Sequence, residues 1–204
     1  MPASKLRLAA YSLVLAILLW ILVFVIRPFD FWVLLALATL TLMIVSLSVN
    51  HEPLRIHISI GMMVYGVVSA FLLYALFYFG FQVTKSNMIF SEGVSQVYLF
   101  RSSTPLFIIG LLLVFPIGPG EEIYWRGLIQ NRFAERLGGN AGLLCAATAY
   151  ALVHLPTFNP PLVLTAFIGG LVWGYIYRTS GTLVPAIVSH VLWDLLIFVV
   201  LPLT

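Results

Sequence analysis

Long apolar runs separated by short polar turns set the pattern of this chain of 204 residues. An α-helix needs about 20 mostly apolar residues to cross the hydrocarbon core of a membrane. Runs that reach or approach this length occur along the whole sequence, at 8–26, 31–49, 60–81, 104–117, 141–155, 162–178 and 182–201. The pattern therefore predicts an all-α fold, a polytopic transmembrane helical bundle of about seven spans, whose fourth span runs on into a polar stretch at 118–127.

Composition supports this class of protein. Hydrophobic residues make up 62% of the chain and the mean hydropathy is +1.09, values typical of membrane proteins with several spans. The net charge of +3 reflects Lys and Arg in loops, so contact with membrane lipid is expected and a nucleic-acid partner is not. The one cysteine, Cys145, stands in an apolar run. It excludes an internal disulfide and a cysteine-based metal site.

No internal repeat and no long linker divides the chain, so a single membrane-embedded domain is predicted for residues 1–204. Within it, 1–81 holds N-terminal spans without a motif and 104–201 holds the core segment that carries the polar motifs. The basic start and the apolar run up to Ile26 lack a small-residue cleavage site, which favours a retained first span over a signal peptide. Segment 82–103 is too polar to span and too apolar for a free loop. It is predicted to be an amphipathic segment at the membrane interface.

Basic residues are unevenly distributed between the two sides that seven spans would create. The side of the N-terminus receives six of them, Lys5, Arg7, Arg55, Arg132, Arg136 and Arg178, and the other side receives Arg27, Lys85 and Arg101. Because loops rich in Lys and Arg stay inside, this split predicts a cytoplasmic N-terminus.

The stretch 118–127 carries Glu121, Glu122 and Arg126 within an otherwise apolar region. A charge in a membrane segment costs roughly 2.5–3.5 kcal/mol on insertion scales, so such a group indicates a functional site by default. Glu122 and Arg126 are four residues apart on one helix face and are expected to pair. Glu121 points about 100° away from Glu122. The alternative is that both glutamates only cap a helix N-terminus.

Two later helices each carry a polar pair at the same spacing, Tyr150 with His154 and His190 with Asp194. If the segments on both sides of the turn at 138–139 form a hairpin, Glu121 and His154 lie at nearly the same depth, about 24 Å from its tip. The sequence thus allows one buried cluster of Glu121, His154, His190 and Asp194. Taken singly, each histidine is better explained as a core residue with a satisfying hydrogen bond.

Two chemistries fit this cluster, and both hydrolyse an amide. In the first, Glu121, His154 and His190 bind Zn²⁺ with a water in the open position, and Asp194 orients His190 or becomes a fourth ligand. In the second, no metal takes part, and Glu121 acts with His154 to activate water. His190 and Asp194 then stabilise the oxyanion, although Asp194 donates a hydrogen bond only when protonated.

Three segments resemble the motifs of the CAAX-prenyl-protease and bacteriocin-processing family, the CPBP or Abi intramembrane proteases. The family patterns Glu-Glu-x-x-x-Arg, Phe-x-x-x-His and His-x-x-x-Asn/Asp match the stretches that begin at Glu121, Tyr150 and His190, in the same order. The resemblance covers roughly residues 104–200. It departs from the family at Tyr150, where Phe is usual, and at Trp125, where Phe is common.

The resemblance implies a helical, membrane-embedded endopeptidase that acts on a membrane-associated peptide or protein. It implies that Glu121 is the catalytic carboxylate, that His154 is its partner and that His190 and Asp194 complete the site, with Glu122 and Arg126 as a supporting pair and Tyr150 beside them. The family is compatible with either a glutamic or a metalloprotease. The short chain looks like a bacterial member in the cytoplasmic membrane, so a prenylated CAAX substrate is not expected.

Two other classes of protein remain as alternatives. One is a non-catalytic immunity or interaction protein that keeps the fold, against which the intact set of Glu121, His154 and His190 argues. The other is an ion-coupled transporter, where intramembrane Glu and His also occur. The lack of symmetry between the two halves of the chain counts against a transporter.

Overall fold

The computed structural model describes residues 3–49 and 54–203, and these are helical with no strand. The helices are α1 (Ala3–Ile21), α2 (Phe31–Val49), α3 (Ile60–Thr84), α4 (Met88–Leu99), α5 (Leu106–Leu112), α6 (Gly118–Tyr124), α7 (Asn131–Leu137), α8 (Gly139–Leu152), α9 (Pro160–Ser180) and α10 (Val184–Leu195). π-Helical turns extend α1 through Leu22–Ile26, link α5 to α6 through Leu113–Ile117 and α6 to α7 through Trp125–Gln130, and extend α10 through Leu196–Val200. The prediction of an all-α fold is confirmed.

Within the described ranges, five helical stretches are long and apolar enough to cross a membrane: Arg7–Ile26, Phe31–Val49, Ile60–Thr84, Leu106–Leu137 and Pro160–Ser180. The apolar helix Val184–Val200 is shorter, and α8 has 14 residues. A helical membrane bundle is therefore present, whereas a count of seven spans stays a prediction for α8 and α10.

The predicted amphipathic segment 82–103 contains helix α4. Asn87 caps its start, since its Oδ1 accepts a hydrogen bond from the Ile89 N–H at 3.0 Å. Asn159 donates from Nδ2 to the Gly93 carbonyl at 2.8 Å, which ties α4 to the start of α9. Gly93 is required there, because a Cβ would lie 2.7 Å from a ring carbon of Pro161. The interfacial position of α4 stays a prediction.

The ends of the helices gather at two opposite poles of the bundle. At one pole, here named the Arg27 end, Asp30 binds Ser103 and Thr104, and the turn after α1 contacts the turn after α8. At the other, here named the Arg55 end, the Leu183 N–H donates to the Arg55 carbonyl at 2.8 Å. Helix α1 and its extension, from Ala3 to Ile26, would reach about 36 Å from one pole to the other.

A break in the helical stretch 106–137 places the polar segment in the core. Phe115 has extended backbone angles, φ −161° and ψ 127°, and Pro116 follows it, so the chain cannot continue as a regular α-helix. Gly120 then lets α6 approach α2 closely, because a Cβ there would lie 3.1 Å from the Thr39 carbonyl oxygen. Gly120 therefore permits close packing between these two helices.

Asp30 joins the start of α2 to the segment before α5. Its Oδ1 accepts hydrogen bonds from the Trp32 and Val33 N–H groups, and its Oδ2 accepts from the Ser103 and Thr104 hydroxyls. Partial burial alone would raise the pKa of Asp30, but these hydrogen bonds outweigh it and hold the pKa below its ordinary value of 3.8. The carboxylate form is therefore favoured by the fold.

Replacing Asp30 by Asn is expected to lower the free energy of unfolding by about 1 kcal/mol at neutral pH, because an amide nitrogen cannot accept hydrogen bonds. A group with a lowered pKa stabilises the fold fully above its unfolded-state pKa and loses that contribution as pH falls towards its folded-state pKa. The difference between wild type and variant should thus be constant near neutral pH and shrink below about pH 4. Thermal unfolding in detergent between pH 3 and 7 measures it, and a constant difference throughout would contradict this assignment.

Candidate active site

Four side chains of the predicted cluster lie in the wall of one internal cavity of about 290 Å³. None of them exposes more than 6% of its surface. They come from three parts of the fold, namely α6, the turn after α8, and α10, and they are Glu121, His154, His190 and Asp194. The hydroxyl-bearing ring of Tyr150 joins them, and aromatic and aliphatic side chains form most of the remaining wall.

Glu121 is held by Tyr150. The Tyr150 hydroxyl donates a hydrogen bond to Oε2 of Glu121 at 2.6 Å, and both residues are 6% exposed. Among the described residues no partner is recorded for the other carboxylate oxygen, Oε1. The Tyr150 ring also packs edge-on against His154, with 5.2 Å between ring centroids. Tyr150 therefore fixes the rotamer of Glu121 and leaves one oxygen available to a molecule in the cavity.

Glu122 lies beside the cavity and contacts two side chains, Arg126 and His190. Its Oε1 accepts from Nη1 of Arg126 at 2.8 Å and lies 2.7 Å from Nδ1 of His190. The expected pairing of Glu122 with Arg126 is therefore present, with both side chains at most 2% exposed. Arg126 also lies over the ring of Tyr150, 5.2 Å from its centroid. The pair thus braces His190 and Tyr150.

His190 faces carboxylates with both ring nitrogens. Nδ1 is 2.7 Å from Glu122, and Nε2 is 3.5 Å from Oδ2 of Asp194, four residues further along α10. The longer separation leaves Nε2 only weakly held. The ring stacks on Trp173, with 3.7 Å between centroids and 16° between planes. His190 is consequently fixed in orientation, and its Nε2 is the ring atom with freedom to bind elsewhere.

His154 has a hydrogen-bond partner on each ring nitrogen. The Trp20 indole N–H donates to Nε2 at 3.0 Å, and Nδ1 lies 2.8 Å from the Tyr150 carbonyl oxygen. Because an indole only donates and a carbonyl only accepts, these partners select the neutral ring with its proton on Nδ1. Trp20 is 1% exposed. The ring is thereby held in place from behind by the first span.

The predicted zinc ligands are not gathered around one point in this arrangement of side chains. Among the described residues no three His, Cys, Asp or Glu side chains form a group that could hold a metal ion. A zinc ligand needs the lone pair of His154 Nε2, which accepts the Trp20 N–H. In His190, Nδ1 contacts Glu122 at 2.7 Å, which leaves Nε2 as the ring atom that could bind a metal. The ligand set of Glu121, His154 and His190 stays a prediction that requires side chains to rearrange.

Sequence reasoning missed three contacts at the site. The first is Trp20 on His154, which the motifs could not indicate because the first span carries none. The second is the stacking of Trp173 on His190. The third is the hydrogen bond from the Tyr150 hydroxyl to Glu121. A buried Trp or Tyr needs a partner for its N–H or O–H, and that requirement is the signal that could have prompted a search.

Fold and site together define a class: a helical integral membrane protein with a buried Glu and His cavity. Residues 102–196 match the family model described as "Type II CAAX prenyl endopeptidase Rce1-like". This match confirms the CAAX-protease resemblance that the three motifs carry, and it identifies a protease family. No curated protein and no solved structure matches the chain.

Proposed function

We propose that the protein is an intramembrane endopeptidase that hydrolyses a peptide bond in a membrane-associated protein or peptide. The observation that carries this proposal is Glu121, a buried carboxylate in the cavity wall that uses one oxygen, Oε2, to accept the Tyr150 hydrogen bond. A carboxylate with one free oxygen inside an apolar cavity is suited to remove a proton from water. The family match supports peptide hydrolysis as the reaction.

In the proposed reaction, Oε1 of Glu121 accepts a proton from a water molecule, and the water oxygen bonds to the carbonyl carbon of the substrate. The proton then passes to the nitrogen of the leaving amine as the carbon–nitrogen bond breaks. The products are a carboxylic acid, which keeps the second proton of the water and then ionises, and an amine. Because Tyr150 occupies Oε2, the same oxygen of Glu121 takes up the proton and delivers it. His154 borders the water position.

The oxyanion that forms on the carbonyl needs a donor, and His190 supplies it in this proposal. Its Nε2 faces Asp194 at 3.5 Å, a weak contact that the N–H can exchange for a developing negative charge. Asp194 accepts rather than donates in its ionised form, so its part is to orient His190. Donors placed in advance where charge develops are among the largest contributions to catalysis.

The finer features of this function are also proposals. The substrate is a peptide or protein segment at the membrane, without commitment to a prenylated CAAX sequence. The location is the cytoplasmic membrane of a bacterium with the N-terminus inside, which the split of basic residues supports. In the family's terms the protein would be a CPBP or Abi type protease working by glutamic chemistry.

Cleavage of fluorogenic membrane peptides by the detergent-purified protein tests the proposal. Metal analysis of the same preparation, beside the double variant His154→Ala/His190→Ala, tests the zinc alternative. About one zinc per chain, lost in the double variant, would establish a metallopeptidase. No cleavage across a broad peptide library would favour the immunity protein, and ion flux in vesicles would favour the transporter.

Replacing Trp20 by Phe is expected to lower kcat about 10-fold with little change in KM. The substitution keeps a ring but removes the N–H that fixes the His154 ring, and small misplacements of catalytic groups reduce the rate steeply. Steady-state kinetics on a peptide substrate measure the effect.

Tyr124→Phe is the matched control for this prediction. Tyr124 is fully buried, is not part of the cavity wall, and donates its hydroxyl to Oγ of Ser12 in the first span at 3.2 Å. The variant should lose comparable stability without loss of kcat. A Trp20→Phe protein that is as active as wild type, or more active, would mean that His154 works only after it leaves Trp20.

A further inference from the structure

The walls of the catalytic cavity come from one end of the bundle. Helix α3 contributes only its last third, between Leu76 and Thr84, and α9 contributes residues from its first two-thirds, between Pro161 and Trp173. The remaining contributors at this level include Phe24, Phe31, Phe90, Phe100 and Leu203. Among the described residues, the wall includes none from 54–57 or 174–189. The cavity therefore extends from Glu121 and His190 towards the Arg27 end.

The Arg27 end lies on the side of the membrane opposite to the start of α1. Ala3 and Arg27 are separated by one span, and the stretch Arg7–Ile26 is long enough to cross the bilayer. With the N-terminus inside, as the basic residues predict, the cavity opens outwards. The direction in which the cavity opens does not depend on the reaction that takes place in it.

Two guanidinium groups stand at this end of the cavity. Arg27 lies over the Phe100 ring at 5.3 Å, and Arg101 lies over the Tyr98 ring at 5.6 Å. Both rings line the cavity. Nε of Arg101 is buried and has no hydrogen-bond partner in the described part of the chain. The mouth of an apolar cavity thus carries two positive charges held on its aromatic wall.

No carboxylate of the described chain forms an ion pair with either arginine. Asp30 is close in sequence to Arg27, but its two oxygens receive four hydrogen bonds from α2 and the segment before α5. Unneutralised cations beside an apolar cavity attract an anionic group attached to an apolar one. A carboxylate binds a guanidinium well because their geometries match.

We propose that the cavity admits its substrate from the outer membrane face, and that the substrate is an apolar segment of a membrane protein with an acidic flank bound by Arg27 and Arg101. The identity of the segment as a substrate rests on the proposed peptidase function. The access route and the binding of the acidic flank do not, so they are tested without a cleavage assay.

The access route is tested by thiol labelling. In a Cys145→Ala background, Thr84→Cys places a thiol in the cavity wall near its mouth, and Thr179→Cys places one at the Arg55 end. The two sites are matched, since both threonine hydroxyls donate to a backbone carbonyl four residues earlier. A membrane-impermeant maleimide should label Thr84→Cys in intact cells and Thr179→Cys only after permeabilisation. The reverse pattern would overturn the proposal.

The acidic flank is tested by binding to the Glu121→Gln protein, which need not cleave. An apolar peptide with an Asp-rich flank should bind about 10-fold more tightly than the same peptide with a Lys-rich flank, and Arg27→Gln/Arg101→Gln should abolish the preference. Arg136→Gln, which changes an exposed arginine at the Arg55 end, should leave this preference unchanged. No preference would overturn the proposal. So would a double variant that loses affinity only for vesicles of anionic lipid, which would identify a lipid headgroup instead.

Discussion

Glu121→Gln is expected to reduce peptide cleavage by about 10³-fold, within the range attributed to a general base. The amide cannot accept the proton of the attacking water, yet it has nearly the same shape and its oxygen can still accept the Tyr150 hydrogen bond. The fold should therefore be retained, and the loss should appear in kcat rather than in KM. Single-turnover cleavage with excess enzyme separates the chemical step from product release.

Two comparisons make this result specific. Glu92→Gln removes a carboxylate from the exposed face of α4 and should leave the rate unchanged. Tyr150→Phe introduces the residue that is usual in the family. It should retain more activity than Glu121→Gln, because it removes only the hydrogen bond that positions the carboxylate and keeps the carboxylate itself. If Glu121→Gln kept more than a tenth of the wild-type rate while remaining folded, Glu121 would not be the base.

Arg126→Leu is expected to lower the free energy of unfolding by about 3–5 kcal/mol, the loss observed when one partner of a buried ion pair is removed. Glu122 is fully buried and its Oε2 already lacks a partner, so loss of Arg126 leaves a poorly compensated charge that only His190 faces. The measurement is reversible unfolding in mixed micelles. Cleavage should fall with the folded fraction.

The double variant Glu122→Leu/Arg126→Leu provides the thermodynamic cycle. Removing both charges should destabilise the protein less than the two single changes added together, because no unpaired ion remains. Glu135→Gln, at the pair of Arg132 and Glu135, is the exposed comparison, since Glu135 is 36% exposed. It should cost no more than about 1 kcal/mol. Additive losses in the cycle would show that Glu122 and Arg126 do not act as a pair.

The spacing of apolar and polar residues was sufficient to predict the features that depend on neighbouring residues, namely the long helices and the pairs on one helix face. The apolar runs at 31–49 and 60–81 became α2 and α3 almost to the residue, because a span must be both long and apolar. The pairing of Glu122 with Arg126 followed from four-residue spacing on one helix. The convergence of Glu121 and His154 on one cavity followed from equal distances along the two arms of a hairpin.

Contacts between distant segments could not be predicted in this way. The spacing of apolar residues places Trp20 on a helix. It does not identify the acceptor of its N–H, which is His154, 134 residues further along the chain. Spacing predicted the pairing of Glu122 with Arg126, but it could not predict that the packing of α6 and α10 also brings His190 to Glu122. The α8 helix has 14 residues, fewer than a span usually needs, so its predicted crossing of the membrane stays a prediction.

The hydrogen bond from Trp20 to His154 makes the candidate site depend on the first span as well as on the segment that carries the motifs. The segment matched to the protease family begins at residue 102, so the donor that orients one of its histidines is supplied from outside that segment. An unrelated apolar helix grafted in place of the first span would insert into the membrane equally well, yet would leave Nε2 of His154 without its donor. The first span is thus a structural part of the candidate site as well as a membrane anchor.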